Sequence, residues 1–495
     1  SYFHLEQHRS MITAHIVLMT LAWIVFLPVG NIANSRARLP IQLIFTTTNI
    51  LGALLGVTYS RSTPDLYENQ KHSPIAWASI VFSLLWLAIM VVPNASIDKQ
   101  PYSKSFHSDQ QSYEALLQSS HPSSSELERE DQDDQLHSDI FDEADDTDEK
   151  LDTRGRFSQF PKGSFLSRVT AWTASKSLFP ALRMLRAILD RIILILGFVC
   201  IVTGIVIYTG SFRNKNIFNG LAHTIKGGIF FWYGLLTFAR WLGCLADFGW
   251  AWNLRPSKAL VGSRAASMPS FEFIESATMC VYGVTNVWLE HLSNPGGKWE
   301  ARDLEHVAIA FLFFGGGLIG VLLSSTLLRN LTTTHLRVRL GRGIDSNTAV
   351  DLETLQPDEQ QQVSLNPIPA ILVFLLGFMM SSHHQHSQVS SMLHMLWGKI
   401  FMAGTLARIA TYALLYLRPP TSSLPSRPPT EVIASFCMIA GGLLLMLSNT
   451  DMIETLEYYD LDAMLVFTIV LALTAILMAW EVVCLAIKGW GQRRE

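Results

Sequence analysis

Apolar runs of about twenty residues recur along this chain, from "AHIVLMTLAWIVFLPVG" near its start to "MLVFTIVLALTAILMAW" near its end. Each is long enough to cross a hydrocarbon core of ~30 Å as a helix, and in lipid every backbone polar group must be bonded within such a segment or a closed barrel. That pattern restricts the fold to all-α: a polytopic transmembrane helical bundle of about eleven spans. They are expected near 11–30, 39–59, 74–93, 187–209, 221–246, 271–291, 304–327, 367–382, 389–416, 431–448 and 463–487. Charged residues make up 16% of the chain, against roughly 25% in soluble domains. Mean hydropathy is +0.26 despite one long polar segment.

That segment divides the chain. Residues 1–95 form a three-helix membrane unit, 96–178 an acidic, Ser-rich linker, and 179–495 an eight-helix membrane domain. The linker core, "SSHPSSSELEREDQDDQLHSDIFDEADDTDEK", cannot bury enough apolar surface to offset its ordering entropy, so it is expected to be disordered. Ser125 and Ser138 beside acidic residues are targets a kinase could use, and protein partners could dock there. The five cysteines, Cys200, Cys244, Cys280, Cys437 and Cys484, all fall in apolar runs without a CxxC spacing. They are read as packing residues, not as a disulfide framework or zinc ribbon. The chain begins at Ser1, which fits a fragment or a removed signal peptide.

Basic residues orient the bundle. The odd-numbered connections carry Arg36 and Arg38; Arg183, Arg186 and Arg191; Arg255, Lys258 and Arg264; Arg329, Arg337, Arg339 and Arg342; Arg418 and Arg427. The tail has Lys488, Arg493 and Arg494, while the even connections are poor in both residues. This asymmetry predicts an N-terminus outside and a C-terminus in the cytosol. The sequons at Asn94 and Asn330 then fall on the cytosolic side, where glycosylation is not expected.

Placed on that topology, the histidines separate. His4, His8, His15, His72, His223, His291, His306, His383, His384, His386 and His394 lie in the outer part, and only His107, His121, His137 and His335 are cytosolic. Imidazole is the commonest metal ligand and also ligates haem iron. His15 and His72 sit at the outer ends of the first and third spans, positioned as an axial pair for haem b. His8 would share the face of His15 if the helix extends that far. A second grouping joins Glu290, His291, Glu305 and His306 across a Pro-Gly-Gly turn, with His383, His384, His386 and His394. These donors suit zinc, iron, manganese or copper, though no HExxH or other metal-specifying spacing is present. The rival for both groupings is interfacial hydrogen bonding to water or backbone.

Arg240, Asp247, Glu275, Arg408, Glu431 and Glu481 lie toward the inner ends of spans. They are expected to pair and hold helices in register, because unpaired charge in lipid is costly. "FFGGGLIG" and "AGG" are small-residue stretches for close helix packing and lack a Walker lysine. No nucleic-acid module and no Ser/His/Asp arrangement is present, so the residues assign no reaction.

The stretches "TPDLYENQKHSPIAW", "WYGLLTFARWLGCLADFGWAWN", "YGVTNVWLEHL", "DLEHVAIAFLFFGGGLIG", "MMSSHHQHSQVSSMLH" and "PSRPPTEVIASFCMIAGG" resemble the fungal Ytp-like family of multi-pass membrane proteins. The likeness covers the N-terminal three-helix unit and nearly all of the C-terminal eight helices, leaving out the linker. The N-terminal unit is also distantly similar to cytochrome b561. That resemblance implies an outer haem on His15 and His72, while the inner positions, in "LPIQL" and "ILDRIILIL", carry no histidine. The first functional expectation is therefore a haem- or metal-binding redox protein in a secretory-pathway, vacuolar or plasma membrane. The alternatives are a divalent metal transporter or acquisition protein, and a non-catalytic scaffold regulated through the acidic linker.

Overall fold

The computed structural model describes residues 1–32, 35–91, 178–289, 298–299, 301–332, 334–335, 365–382, 385 and 387–493. The acidic linker, and with it the expectation of disorder, lies outside the described residues.

All regular structure among the described residues is helical. In order the helices are α1 (Arg9–Ile32), α2 (Ser35–Ser62), α3 (His72–Val91), α4 (Leu178–Thr209), α5 (Asn216–Leu242), α6 (Lys258–Ala266) and α7 (Phe271–Leu289). Then come α8 (Ala301–Ser324), α9 (Thr326–Thr332), α10 (Ile368–Ser382), α11 (Gln388–Leu417), α12 (Thr430–Leu447), α13 (Thr450–Tyr458) and α14 (Ala463–Gln492). The eleven expected runs correspond to α1–α5, α7, α8, α10–α12 and α14. Eight of these are long and apolar enough to cross a membrane, and α10 is a shorter apolar helix. The other two, α5 and α7, bring Arg240, Glu272 and Glu275 into the interior. Large apolar side chains such as Ile205, Ile225, Val281, Phe311 and Ile476 stay more than half exposed on the helix surfaces. A water-soluble monomer rarely shows such faces, and a lipid-facing one must.

The first four helices close on themselves, α1 against α2, α2 against α3, α3 against α4 and α4 back on α1. Trp23, Phe45 and Trp86 stack edge-to-face at 5.2 and 5.9 Å in their core, with Leu189 and Ile193 of α4. By packing, then, α4 joins the first three helices, although it follows the linker in sequence. The remaining helices form a second group around α5, α11 and α12. Glycines set its spacing. A Cβ on Gly227 would meet the Gly442 carbonyl at 2.5 Å, and one on Gly377 the Gly398 carbonyl at 2.6 Å, so these backbones touch. Gly442 belongs to the "AGG" stretch read as a packing motif, and in "FFGGGLIG" the Gly317 backbone lies against that of Cys280.

Pro28 shapes α1. Its ring cannot donate to the carbonyl four residues back, and the helix widens into a π turn over Leu21–Phe26. The carbonyl concerned, that of Ile24, accepts instead from Trp480 Nε1 of α14 at 2.9 Å. The backbone defect in the first helix thereby becomes a tie to the last.

Candidate functional site

One end of the bundle is a hydrogen-bonded rim. Leu66 N donates to Tyr2 Oη at 3.0 Å, and Arg213 donates to the Leu66 carbonyl at 2.5 Å. Tyr67 Oη shares its proton between the Ser211 and Phe212 carbonyls at 2.7 and 2.9 Å. Burial holds the Tyr67 phenol above its ordinary range, so it remains a donor. Asp451, at the head of α13, accepts from Phe212 N at 2.7 Å and from Asn216 at 2.9 Å. The N-terminal segment, the α2–α3 and α4–α5 connections and the α12–α13 junction are thus bound together. They are the N-terminus and even-numbered connections, and they carry Lys71, Arg213 and Lys215 of their own.

The helix-borne histidines lie just beneath this rim. His15, His223, His306 and His394 are roughly 8–10 Å in from the starts of their helices at ~1.5 Å per residue. His72 opens α3 but meets Thr203, at the same depth in α4. His8 does not share a helical face with His15. It caps α1 in a left-handed conformation, φ 57°, and is exposed, because α1 begins only at Arg9.

His15 Nδ1 lies 2.7 Å from the Gly52 carbonyl, which can only accept, so the ring carries its proton on Nδ1. His72 Nδ1 lies 3.0 Å from Thr203 Oγ1. The Thr203 hydroxyl spends its one proton on its own helix, at the Val199 carbonyl 2.8 Å away, and so accepts from His72. Both rings therefore present Nε2 as the basic nitrogen. They lie near enough for their charges to interact. Each rests on a glycine: a Cβ on Gly56 would come within 2.9 Å of the His15 ring, and one on Gly204 within 3.4 Å of His72.

His394 is 7% exposed, and its Nδ1 donates to the Ser390 carbonyl at 2.8 Å. Its ring stands edge-to-face with His223, centroids 5.9 Å apart and planes at 87°. His223 escaped the sequence-level site because it sits alone on α5, far in sequence from the other histidines; depth along its helix was the available signal. Its Nδ1 donates to the Leu445 carbonyl and Ser448 Oγ at 3.2 and 3.1 Å. His306 lies within electrostatic reach of His223. Glu305 is exposed beside it. Glu290, His291, His383, His384 and His386 lie outside the described residues. Among the described residues no three His, Cys, Asp or Glu side chains gather in metal-binding geometry.

The opposite end is ionic. Glu275 Oε1 accepts from Tyr233 Oη at 2.6 Å and from Arg408 at 3.2 Å, with Arg240 at 3.9 Å. Arg408 Nε lies 2.7 Å from Glu431 Oε1, an ion contact off the line of a hydrogen bond. The Arg240 guanidinium covers Phe271 at 3.5 Å. The expected pairing of arginine with carboxylate holds for these four residues. Asp247 differs: it lies in a short turn after α5, outside any long helix, because α5 ends at Leu242 with Gly243 in the left-handed region. Glu481 differs too, with a buried Oε2 that finds no hydrogen bond. In the first bundle, Arg38 and Asp190 meet at 3.0 Å, and Trp86 Nε1 donates to Asp190 at 2.6 Å. All five cysteines are free, as their spacing implied.

Lipid-facing apolar helices around buried, paired charge define an integral membrane protein. The model described as Protein YTP1-like, C-terminal, matches residues 196–489, and a domain of unknown function (DUF2427) matches residues 1–95. An uncharacterized membrane protein of Schizosaccharomyces pombe is 33% identical over 506 residues, 98% of this chain and 95% of its own. An uncharacterized membrane protein of Saccharomyces cerevisiae is 38% identical over 303 residues, covering 59% of this chain and 46% of that protein. Protein YTP1 of the same yeast is 24% identical over 216 residues, 44% of this chain and 39% of that one. No solved structure matches. The chain belongs to the YTP1-like family of fungal membrane proteins.

Proposed function

We propose that this protein is a redox membrane protein that holds a haem b on His15 and His72 beneath an extracytosolic rim. The supporting observation is the paired Nδ1 donation to Gly52 and Thr203, which turns both basic nitrogens away from those partners. Ligand imidazoles are ordinarily oriented by such a bond on the other ring nitrogen. The donor set fits the group: two imidazoles on facing helices, each beside a glycine that leaves its ring uncrowded. A haem held there supplies one-electron chemistry. The chain's own part is to fix both tautomers, limit access of water and set the depth.

The electron path is confined to that face. At the other end of the first four helices, Trp86 and Arg38 are bonded to Asp190 and no histidine is present among the described residues, in line with the missing inner histidines. The reading takes all eleven apolar runs as spans, with α5, α7 and the shorter α10 crossing inside the bundle. It puts the basic connections and the acidic linker in the cytosol, the linker open to kinases or protein partners, and the protein in a secretory-pathway, vacuolar or plasma membrane.

The test is an absorption spectrum of the detergent-purified full chain expressed with haem supply. A Soret band is expected, lost in His15→Ala and in His72→Ala; a protein without the band overturns the reading. Divalent metal acquisition is the second reading, favoured by the imidazoles of α5, α8 and α11 beneath the same rim.

A further inference from the structure

We propose that α2 carries a file of bound water through the first four helices, a proton half-channel that opens beside Arg38 and Asp190 and is closed at its far end by His15. The inference goes beyond the haem reading and does not depend on it.

It starts from the stretch "RLPIQLIFTTTNILG", Arg38 to Gly52. Arg38, Gln42, Thr46 and Asn49 follow one another at intervals of one helical turn, so at 3.6 residues per turn they fall within about 80° of arc on one face of α2. That face is turned inward: Gln42, Thr46 and Asn49 are between 0% and 4% exposed. Thr48, on the outer side, spends its hydroxyl on its own helix, at the Ile44 carbonyl 2.8 Å away. The buried Thr46 hydroxyl makes no such bond. Arg38 Nε, both polar atoms of the Gln42 amide, Thr46 Oγ1 and Asn49 Oδ1 are buried and have no hydrogen-bond partner among the described residues.

Kept dry, each of these atoms would carry its full cost of desolvation. Buried water removes that cost by bonding two to four such groups at once. The spacing fits one water per gap. Successive residues of the row lie about 4.5–6 Å apart along the axis at ~1.5 Å per residue. A water bridging two groups through bonds of ~2.8 Å reaches about that far.

The facing wall is α3. Ser83 Oγ accepts from Asn49 Nδ2 at 3.3 Å and donates to the Ser79 carbonyl at 2.6 Å, and both serines are buried. At one end the paired side chains of Arg38 and Asp190 are 14% and 23% exposed, so solvent reaches them. At the other, one turn past Asn49, the Gly52 carbonyl accepts the His15 Nδ1 proton at 2.7 Å and the ring lies over Gly56. The imidazole covers the end of the row.

The lining selects the occupant. Amides and hydroxyls both donate and accept, so waters held by them can turn over as a proton passes. Each water gains one proton and releases another to the next, and one leaves the file for each that enters. No charged side chain stands on α2 or α3 between the two ends. A metal ion or an anion would therefore be buried there without a counter-charge.

The first experiment is X-ray radiolytic labelling of the full-length protein in detergent with heavy-oxygen water, read by mass spectrometry. Phe45, fully buried beside Thr46, is expected to take up label from the bound water. Phe401, equally buried but packed against Phe230 and Trp397, is expected to take up none. Thr46→Val, which trades the hydroxyl for a methyl group of the same shape, is expected to reduce the label on Phe45, and Thr46→Ser to retain it. An unlabelled Phe45 in the wild type, or a label indifferent to Thr46→Val, overturns the file. The second experiment reads protons in proteoliposomes, where a potassium diffusion potential drives them inward to an enclosed pH dye. His15→Ala is expected to pass protons several-fold faster than the wild type, and His15→Ala with Asn49→Leu to return to the wild-type rate. The half-channel fails if His15→Ala conducts no faster than the wild type, or equally fast with Asn49→Leu as without it. Neither readout involves haem, so a missing Soret band leaves both standing and the two readings fail separately.

Discussion

At the scale of single residues, the polar groups inside this bundle fall into two chemistries at two ends. Imidazoles gather under the rim, and guanidinium–carboxylate pairs gather at the far side. Glu431 and Arg240 are almost completely buried, at 0% and 1% exposure. Charge of this kind survives in a membrane interior only when paired. Removing one partner therefore strands the other, at a cost of about 3–5 kcal/mol. Arg408→Met, which strands Glu431 and leaves Glu275 to Tyr233 and Arg240, is expected to lower the melting temperature in detergent sharply. Arg408→Met combined with Glu431→Leu is expected to recover part of the loss, since one stranded carboxylate is gone. A double variant less stable than the single one would mean that Glu431 stabilises the bundle through some other contact. The pairing itself could be read from sequence, because Arg and Glu recur toward the same ends of the spans. Glu272 and Glu481 could not be sorted the same way. Composition shows that a charge is present, and only packing shows whether a partner lies within reach.

At the scale of elements, each long apolar run became a helix, because length and hydropathy decide that without reference to neighbours. Which helices pair is a different matter. The linker hides the partnership of α4 with α1 and α3, since sequence distance says nothing about contact across a bundle. The tie between Pro28 and Trp480 was equally invisible, being set by one missing N–H and one indole more than four hundred residues away. It makes a clean double-mutant cycle. Trp480→Phe keeps the ring and removes the donor, and is expected to cost about 1 kcal/mol, the ordinary net worth of such a bond. In a Pro28→Ala background residue 28 regains its own N–H for the Ile24 carbonyl. There Trp480→Phe is expected to cost much less, a coupling that chemical denaturation in detergent reads directly. Equal costs in both backgrounds would show that the indole acts by packing alone.

At the scale of the whole molecule, the two ends differ in composition as well as chemistry, and this difference carries the orientation. The rim connections carry Lys71, Arg213 and Lys215, and the opposite connections hold the larger set Arg255, Lys258, Arg264, Arg418 and Arg427. Hydrogen bonds tie that opposite end together too, Leu254 N to the Ser422 carbonyl at 3.0 Å and Asn253 to the Ser423 carbonyl at 2.8 Å. Its positive charge is thus held in one layer. Such layers remain cytosolic during insertion, so the imidazoles are expected to face the extracytosolic compartment. A glycosylation acceptor inserted in the α13–α14 connection should therefore acquire a glycan in microsomes, while the native sequon at Asn330 should not. Protease added outside sealed microsomes should remove a C-terminal tag and leave the rim intact. The reverse pattern would put the histidines in the cytosol and overturn the orientation.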